Sequence, residues 1–235
     1  GSFEEEMAKN PNLTSPILDS VFGSQPQLHK DDWMRDNFQA EYLTKVLFDQ
    51  NPNDSDLVVF SCLDEIFNLK LALDYYAEKL AEDKKPMRSK LLNNIIPYEC
   101  DPVFGFMTNL YAYKFNLYSK QVCVGLMTSI KNIRSYKHTD LRTLGFSTHE
   151  PLENAGWHFT FLDDSDGEKL LSKYKRWAHS RDVAAGRERY FEIETKARAI
   201  ESVFRDYNLK QVEITKKTHP EYLVENLPSY SKYIY

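Results

Sequence analysis

An α/β fold, with a central sheet flanked by helices, is what this sequence predicts, and three observations predict it. Leu57-Val58-Val59-Phe60 is an unalternating apolar run, of the kind that suits a strand buried on both faces of a mainly parallel sheet, and it ends abruptly at Asp64 and Glu65. Helical periodicity lies on either side of it. Met34, Phe38, Tyr42 and Val46 recur every four positions before the run, and Leu69, Leu73, Tyr76 and Leu80 advance by four, three and four after it. Further on the period falls to two, where Tyr111, Tyr113, Phe115 and Leu117 alternate with Ala112, Lys114 and Asn116 as a strand with one aromatic face.

The remaining elements follow in order. Residues 3–30 mix charge with Asn, Pro, Ser, Gly and Gln without a sustained period, and read as a loosely docked arm ahead of a single domain over 31–235. Asp31 and Asp32 place negative charge at the amino end of the first helix, and Asn51-Pro52-Asn53-Asp54 ends it and turns the chain into the central strand. The charged stretch 82–90 reads as a solvated connection. Gln121 to Met127 is a further short strand, and 129–145 carries Lys131, Arg134, Lys137, His138 and Arg142, a basic stretch that reads mostly as solvated surface. Leu170, Leu171, Tyr174, Trp177 and Ala178 form a helix face ending near His179. Tyr190, Ile193, Ala197, Ile200 and Phe204 mark a longer helix, and Leu209 to Thr215 a final strand.

Composition narrows the function. A chain of 235 residues supports one substantial core, and 42% hydrophobic with 28% charged residues is ordinary for a soluble globular protein. The net charge of −5 argues against a general polyanion binder such as a nucleic-acid-binding protein, while leaving room for a local basic pocket that holds a diphosphate. No apolar run approaches the roughly 20 residues needed to cross a bilayer. Gly1-Ser2 reads as an expression remnant, so an anchor or targeting segment ahead of it is compatible with the sequence. Cys62, Cys100 and Cys123 are too few and too scattered for a disulfide framework or zinc knuckle.

Two stretches carry candidate chemistry. Asp64 and Glu65 fall just beyond the carboxyl end of a strand, the edge at which open α/β sheets bind ligands, and a carboxylate there suits a divalent cation that neutralises phosphate oxygens. The same two residues also suit the amino end of the next helix. In Glu153-Asn154-Ala155-Gly156-Trp157-His158-Phe159-Thr160-Phe161, a glycine that permits close backbone approach precedes an imidazole among aromatics, a residue fit either for ligation or for hydrogen-bonded packing.

Together with the tail, these stretches resemble glycosyltransferase family 17, the family of β-1,4-mannosyl-glycoprotein N-acetylglucosaminyltransferase. Trp33-Met34-Arg35-Asp36-Asn37-Phe38-Gln39 is similar to its Trp-x-Arg-(Glu/Asp)-x-x-Gln helix, and Ser61-Cys62-Leu63-Asp64-Glu65-Ile66-Phe67 to its Ser-Asp-x-Asp-Glu-Ile-Pro strand end. Gly156-Trp157-His158-Phe159-Thr160 resembles Gly-Trp-His-Phe-Ser, Arg176-Trp177-Ala178-His179 the end of the following helix, and Pro220 to Asn226 the closing Pro-x-Tyr-Leu-x-Glu-Asn.

The resemblance implies a GT-A-like nucleotide-sugar-binding fold with a mixed central sheet. It also implies inverting transfer of a sugar, N-acetylglucosamine in the best-known members, from a UDP-sugar donor to a glycan or glycoprotein acceptor, assisted by Mn2+ or Mg2+. In that frame Asp64 and His158 are the metal residues, and Cys62, Glu65, Trp157 and Arg35 the donor-binding ones. The catalytic candidates are Glu153, Glu150 and His158, with Asp163 and Asp164 as rivals for the base. The sequence departs from the family at Cys62, where the first Asp of Asp-x-Asp is a thiol, a poor oxygen-ligand replacement for a hard cation, and in residues 1–30, which do not resemble the family's amino-terminal segment. These departures favour a second reading, a weakened or repurposed module that binds a nucleotide, a glycan or a protein partner. The compartment stays open, cytoplasmic for a bacterial or viral member and the secretory lumen for a eukaryotic member whose anchor has been removed.

Overall fold

A computed structural model of the chain describes residues 38–39, 42–81, 101–136, 141, 151–176 and 193–235. Helix α1 covers residues 42–49, and its carboxyl end closes on Asn51 (φ 53), a residue type that tolerates the left-handed region. Strands β1 (Leu57–Phe60) and β2 (Glu65–Phe67) and helix α2 (Leu69–Ala81) follow. Then come β3 (Phe104–Ala112), β4 (Leu117–Ser129), helix α3 (Ile130–Ser135), β5 (Leu152–Thr160), α4 (Glu168–Arg176), α5 (Lys196–Tyr207), β6 (Lys210–Gln211) and α6 (Glu221–Glu225). A 3-10 stretch over Leu227–Tyr233 ends the chain. Among these residues no helix is long and apolar enough to cross a membrane.

The strands pair in the order β1-β4-β3-β5-β2, with β6 on β4, so the fold is α/β with a mixed sheet and helices. Strands β3 and β5 pair parallel, while β1–β4, β2–β5 and β4–β6 are antiparallel. Two sequence expectations change here. The apolar run of β1 is not the central strand of a mainly parallel sheet: it stands at one end of the order, pairs antiparallel with Leu126–Ser129, and leaves Leu57 exposed. The aromatic alternation from Tyr111 to Leu117 is not one strand either. It crosses a tight turn in which Tyr113 takes φ 69 and Leu117 N–H donates to Lys114 O at 3.2 Å, so Tyr111 ends β3 and Leu117 begins β4. Alternation with period two cannot distinguish a continuous strand from a hairpin whose turn preserves the parity.

The chain divides into two compact units, with residues of α2, β3 and β4 falling in both. In the first, Val103, Leu126, Ile133 and Leu141 form a core with Phe48, Val58 and Phe60 packed on it. Ser129 caps α3 by accepting from Asn132 N–H, and Arg134 Nε donates to Asp54 Oδ1 at 2.7 Å, so this residue of the basic stretch is committed to the fold. Lys137, His138 and Arg142 lie outside the described residues.

The second unit comprises Ser61–Ala72, Phe106–Val124 and the described part of Leu152–Tyr235. Tyr113, Leu117, Phe161, Leu170, Tyr174, Ala199 and Val203 form its main core, in which the apolar faces of α4 and α5 meet. The tail fastens the turn between β3 and β4. Phe115 N–H donates to Tyr233 O, Lys114 Nζ to Lys232 O, and Asn116 exchanges hydrogen bonds with Tyr235, which satisfies the polar groups of a buried turn. The strand expected over Leu209 to Thr215 contracts to Lys210–Gln211.

Candidate functional site

The site is built entirely within the second unit, starting from the turn that follows β1. Glu65 N–H donates to Cys62 O at 3.1 Å, closing a turn over residues 62–65. Glu65 reaches back with its carboxylate, and Oε2 accepts from Cys62 N–H at 2.9 Å. Ser61 Oγ donates to Cys62 O and Glu65 O. The Glu65 side chain is buried in this task, which makes it the brace of the turn, while the Cys62 thiol and Leu63 face solvent.

This bracing aims Asp64 at β5. Its backbone oxygen accepts from Phe159 N–H at 2.8 Å, and Oδ2 lies 3.5 Å from His158 Nε2. The close approach is made possible by Gly156, because Asn68 N–H donates to Ala155 O at 2.8 Å and β2 runs against the glycine backbone. Upstream, β5 carries a bulge. Phe106 faces Leu152 but Thr108 faces Gly156, and Asn154 takes φ 52.

A third charged group completes the cluster. Lys173 comes from α4 and stands 3.7 Å from Asp64 Oδ2; its ammonium donates to Thr160 Oγ1 at 3.1 Å and lies 4.5 Å from the centre of the Phe161 ring. Phe161 (φ 53) turns the chain off β5 at this point. Burial pulls the Lys173 pKa below its ordinary value, against the opposing pull of Asp64. For Asp64, burial would raise the pKa, but the hydrogen bond and charge of His158 together with the Lys173 ammonium hold it below the usual carboxylate value. His158 Nδ1 is buried and, among the described residues, has no hydrogen-bond partner, the kind of unsatisfied polar atom that a bound group or ordered water completes.

The other predicted residues sit elsewhere. Trp157, one step along β5 from His158, donates its indole N–H to Thr218 O at 2.8 Å and packs with Tyr111, Phe159 and Leu223. It thus anchors the tail segment and is not part of the Asp64 cluster. Glu153 is exposed near the start of β5, five residues from His158, a separation on the order of 15 Å along a strand. Its charge adds to burial in pushing the Cys123 thiol up to about 11. Asp163 is fully buried and spends both oxygens on the amino end of α4, so it is a cap and not a base. Asp164 pairs with Lys169 and accepts from Tyr233 Oη. Arg35 and Glu150, with Trp33, Trp177 and His179, lie outside the described residues.

Lys173 is the residue that sequence reasoning passed over. A signal existed, since it lies three residues after Leu170 and one before Tyr174, within the apolar arc of α4, where a lysine needs a partner.

The resemblance implies a divalent cation at Asp64 and His158. The residues as placed supply one carboxylate and one imidazole, with an ammonium already beside the carboxylate. Among the described residues no three His, Cys, Asp or Glu side chains come together in a group that could hold a metal ion. That set does not fit a hard cation, which takes six or so oxygen donors and is repelled by an adjacent positive charge. Comparison with known protein families, with curated proteins and with solved structures finds no match.

Proposed function

We propose that this chain transfers a sugar from a uridine diphosphate donor, N-acetylglucosamine being the first candidate, to a hydroxyl of a glycan or glycosylated acceptor. One observation carries the reading. Asp64 and His158 belong to the two stretches that most closely resemble glycosyltransferase family 17, and these two side chains, far apart in sequence, meet at 3.5 Å. Around them stand an ammonium suited to phosphate oxygens and a buried imidazole nitrogen with no partner among the described residues.

In such a transfer the acceptor oxygen bonds to the anomeric carbon as the bond from that carbon to the diphosphate breaks. The electron pair stays on the diphosphate, and the acceptor proton passes to a base. Asp64 orients His158 through Nε2, and Lys173 places positive charge where leaving-group charge would develop. For the base the sequence candidates are Glu153 and Glu150, with Asp163 and Asp164 as rivals; none of the described ones stands at Asp64, and His158 is the titratable group that does.

Calorimetric titration with uridine diphosphate and its N-acetylglucosamine conjugate, in manganese and in chelator, followed by an assay of donor hydrolysis, tests the proposal. Binding accompanied by slow hydrolysis is expected. A folded chain that binds neither nucleotide rules the donor out. Binding without turnover points to the second reading, a repurposed module, which the thiol at Cys62 favours.

A further inference from the structure

Two independent observations bear on how this site would balance the charge of a diphosphate. In the sequence, Cys62 stands where the resembled family has the first of two carboxylates. In the structure, the remaining carboxylate, Asp64, is met by the ammonium of Lys173 at 3.7 Å. Two carboxylates carry a charge that a divalent cation matches; a single carboxylate is matched by one ammonium.

Lys173 also has a donor to give. Among the described residues its ammonium donates to Thr160 Oγ1 at 3.1 Å and faces Asp64 Oδ2 at 3.7 Å. An ammonium has three N–H groups, so with Thr160 and Asp64 each facing one a third is left for a phosphate oxygen. The side chain is 38% exposed, open to a ligand from solvent on the side away from the Phe161 ring, whose centre lies 4.5 Å from the ammonium.

We infer that Lys173 holds the donor's diphosphate at this site in place of a divalent metal ion. The inference rests on the uridine diphosphate reading above. Asp64 is then a positioning residue, which keeps the ammonium over the end of β5, and nucleotide binding is indifferent to metal.

The test is calorimetric titration of the full chain with uridine diphosphate, in chelator and in excess manganese, for the wild type, Lys173→Met and Lys173→Arg, with thermal melting of each to establish folding. The expected result is wild-type binding in chelator that manganese alters by less than about threefold. Lys173→Met should weaken it about tenfold or more and Lys173→Arg should largely preserve it. Binding that requires manganese and is untouched in folded Lys173→Met overturns the inference and leaves the donor reading standing. A folded wild type that binds no uridine nucleotide under either condition overturns both. Should Lys173→Met not fold, the chelator arms on the wild type and Lys173→Arg decide, and a manganese requirement in either overturns the inference.

Discussion

A Cβ added to Gly156 would stand 2.1 Å from the carbonyl oxygen of Ile66 and 2.9 Å from the Cα of Phe67. The site depends on that absence of a side chain, because the contact between β2 and β5 sets the register in which Glu65 faces His158. Both close atoms are backbone and cannot swing aside. Gly156→Ala is therefore expected to cost about 3 kcal/mol or more, since relief requires separating two paired strands. Urea unfolding measures it, and a loss under about 0.5 kcal/mol would show that β2 is not held against β5 in this way.

Restoring the missing acid reverses the charge balance at the turn. Cys62→Asp adds a second carboxylate beside Asp64, at an exposed position where the change is tolerated sterically. The variant is expected to gain a manganese response, binding uridine diphosphate about tenfold more tightly in manganese than in chelator, where the wild type shows little difference. Equal titrations in the two buffers would mean that Lys173 still outcompetes the metal for both acids.

Asp163 ties the amino end of α4 to the end of β5. Its Oδ1 accepts from Ser165 N–H at 2.6 Å and Gly167 N–H at 3.1 Å, and its Oδ2 from Leu170 N–H at 2.8 Å. Burial works against the charge, but these donors outweigh it and lower the pKa. A carboxyl whose folded pKa is depressed contributes stability that is complete above its unfolded value, about 3.9, and is lost as pH falls through the folded value. Asp163→Ala is expected to destabilise by about 2 kcal/mol at neutral pH, by leaving buried N–H groups unpaired, and to flatten the acid limb of the melting curve. An unchanged acid limb would assign the acid sensitivity to other carboxylates.

His219 gives a second pH dependence, nearer neutrality. It is fully buried against Tyr111, with ring centres 4.6 Å apart; its Nδ1 lies 2.8 Å from Thr218 Oγ1, and its Nε2 lies 2.8 Å from Phe115 O and so carries a proton. Burial lowers its pKa, partly offset by that hydrogen bond. Stability from a depressed histidine is complete above the unfolded value of about 6.5 and is lost as pH falls through the folded one. The melting temperature is expected to drop between pH 7 and pH 5, and less so in a folded His219→Gln. Equal slopes in the two proteins would remove His219 from the account.

The sequence by itself determined several of the elements, though not the strand at Glu65–Phe67 nor the start of α5 at Lys196, after Ile193. The four- and three-residue spacing of Leu69, Leu73, Tyr76 and Leu80 is realised in α2, the glycine of Gly156-Trp157-His158 is used for close approach, and Leu170 and Tyr174 face the core. These are local properties, written in periodicity and in the absence of a side chain. Tertiary structure decided what periodicity does not encode. An apolar run reads the same at the centre and at the end of a sheet, yet β1 stands at the end of the order and pairs antiparallel. An aromatic alternation reads the same through a turn, yet Tyr113 bends it. Adjacent residues on one strand point to opposite faces, so Trp157 was sent to Thr218 and His158 to Asp64. Lys173 acquired its partner only where α4 sets its ammonium beside Asp64, because which charges meet depends on the approach of segments distant in the chain.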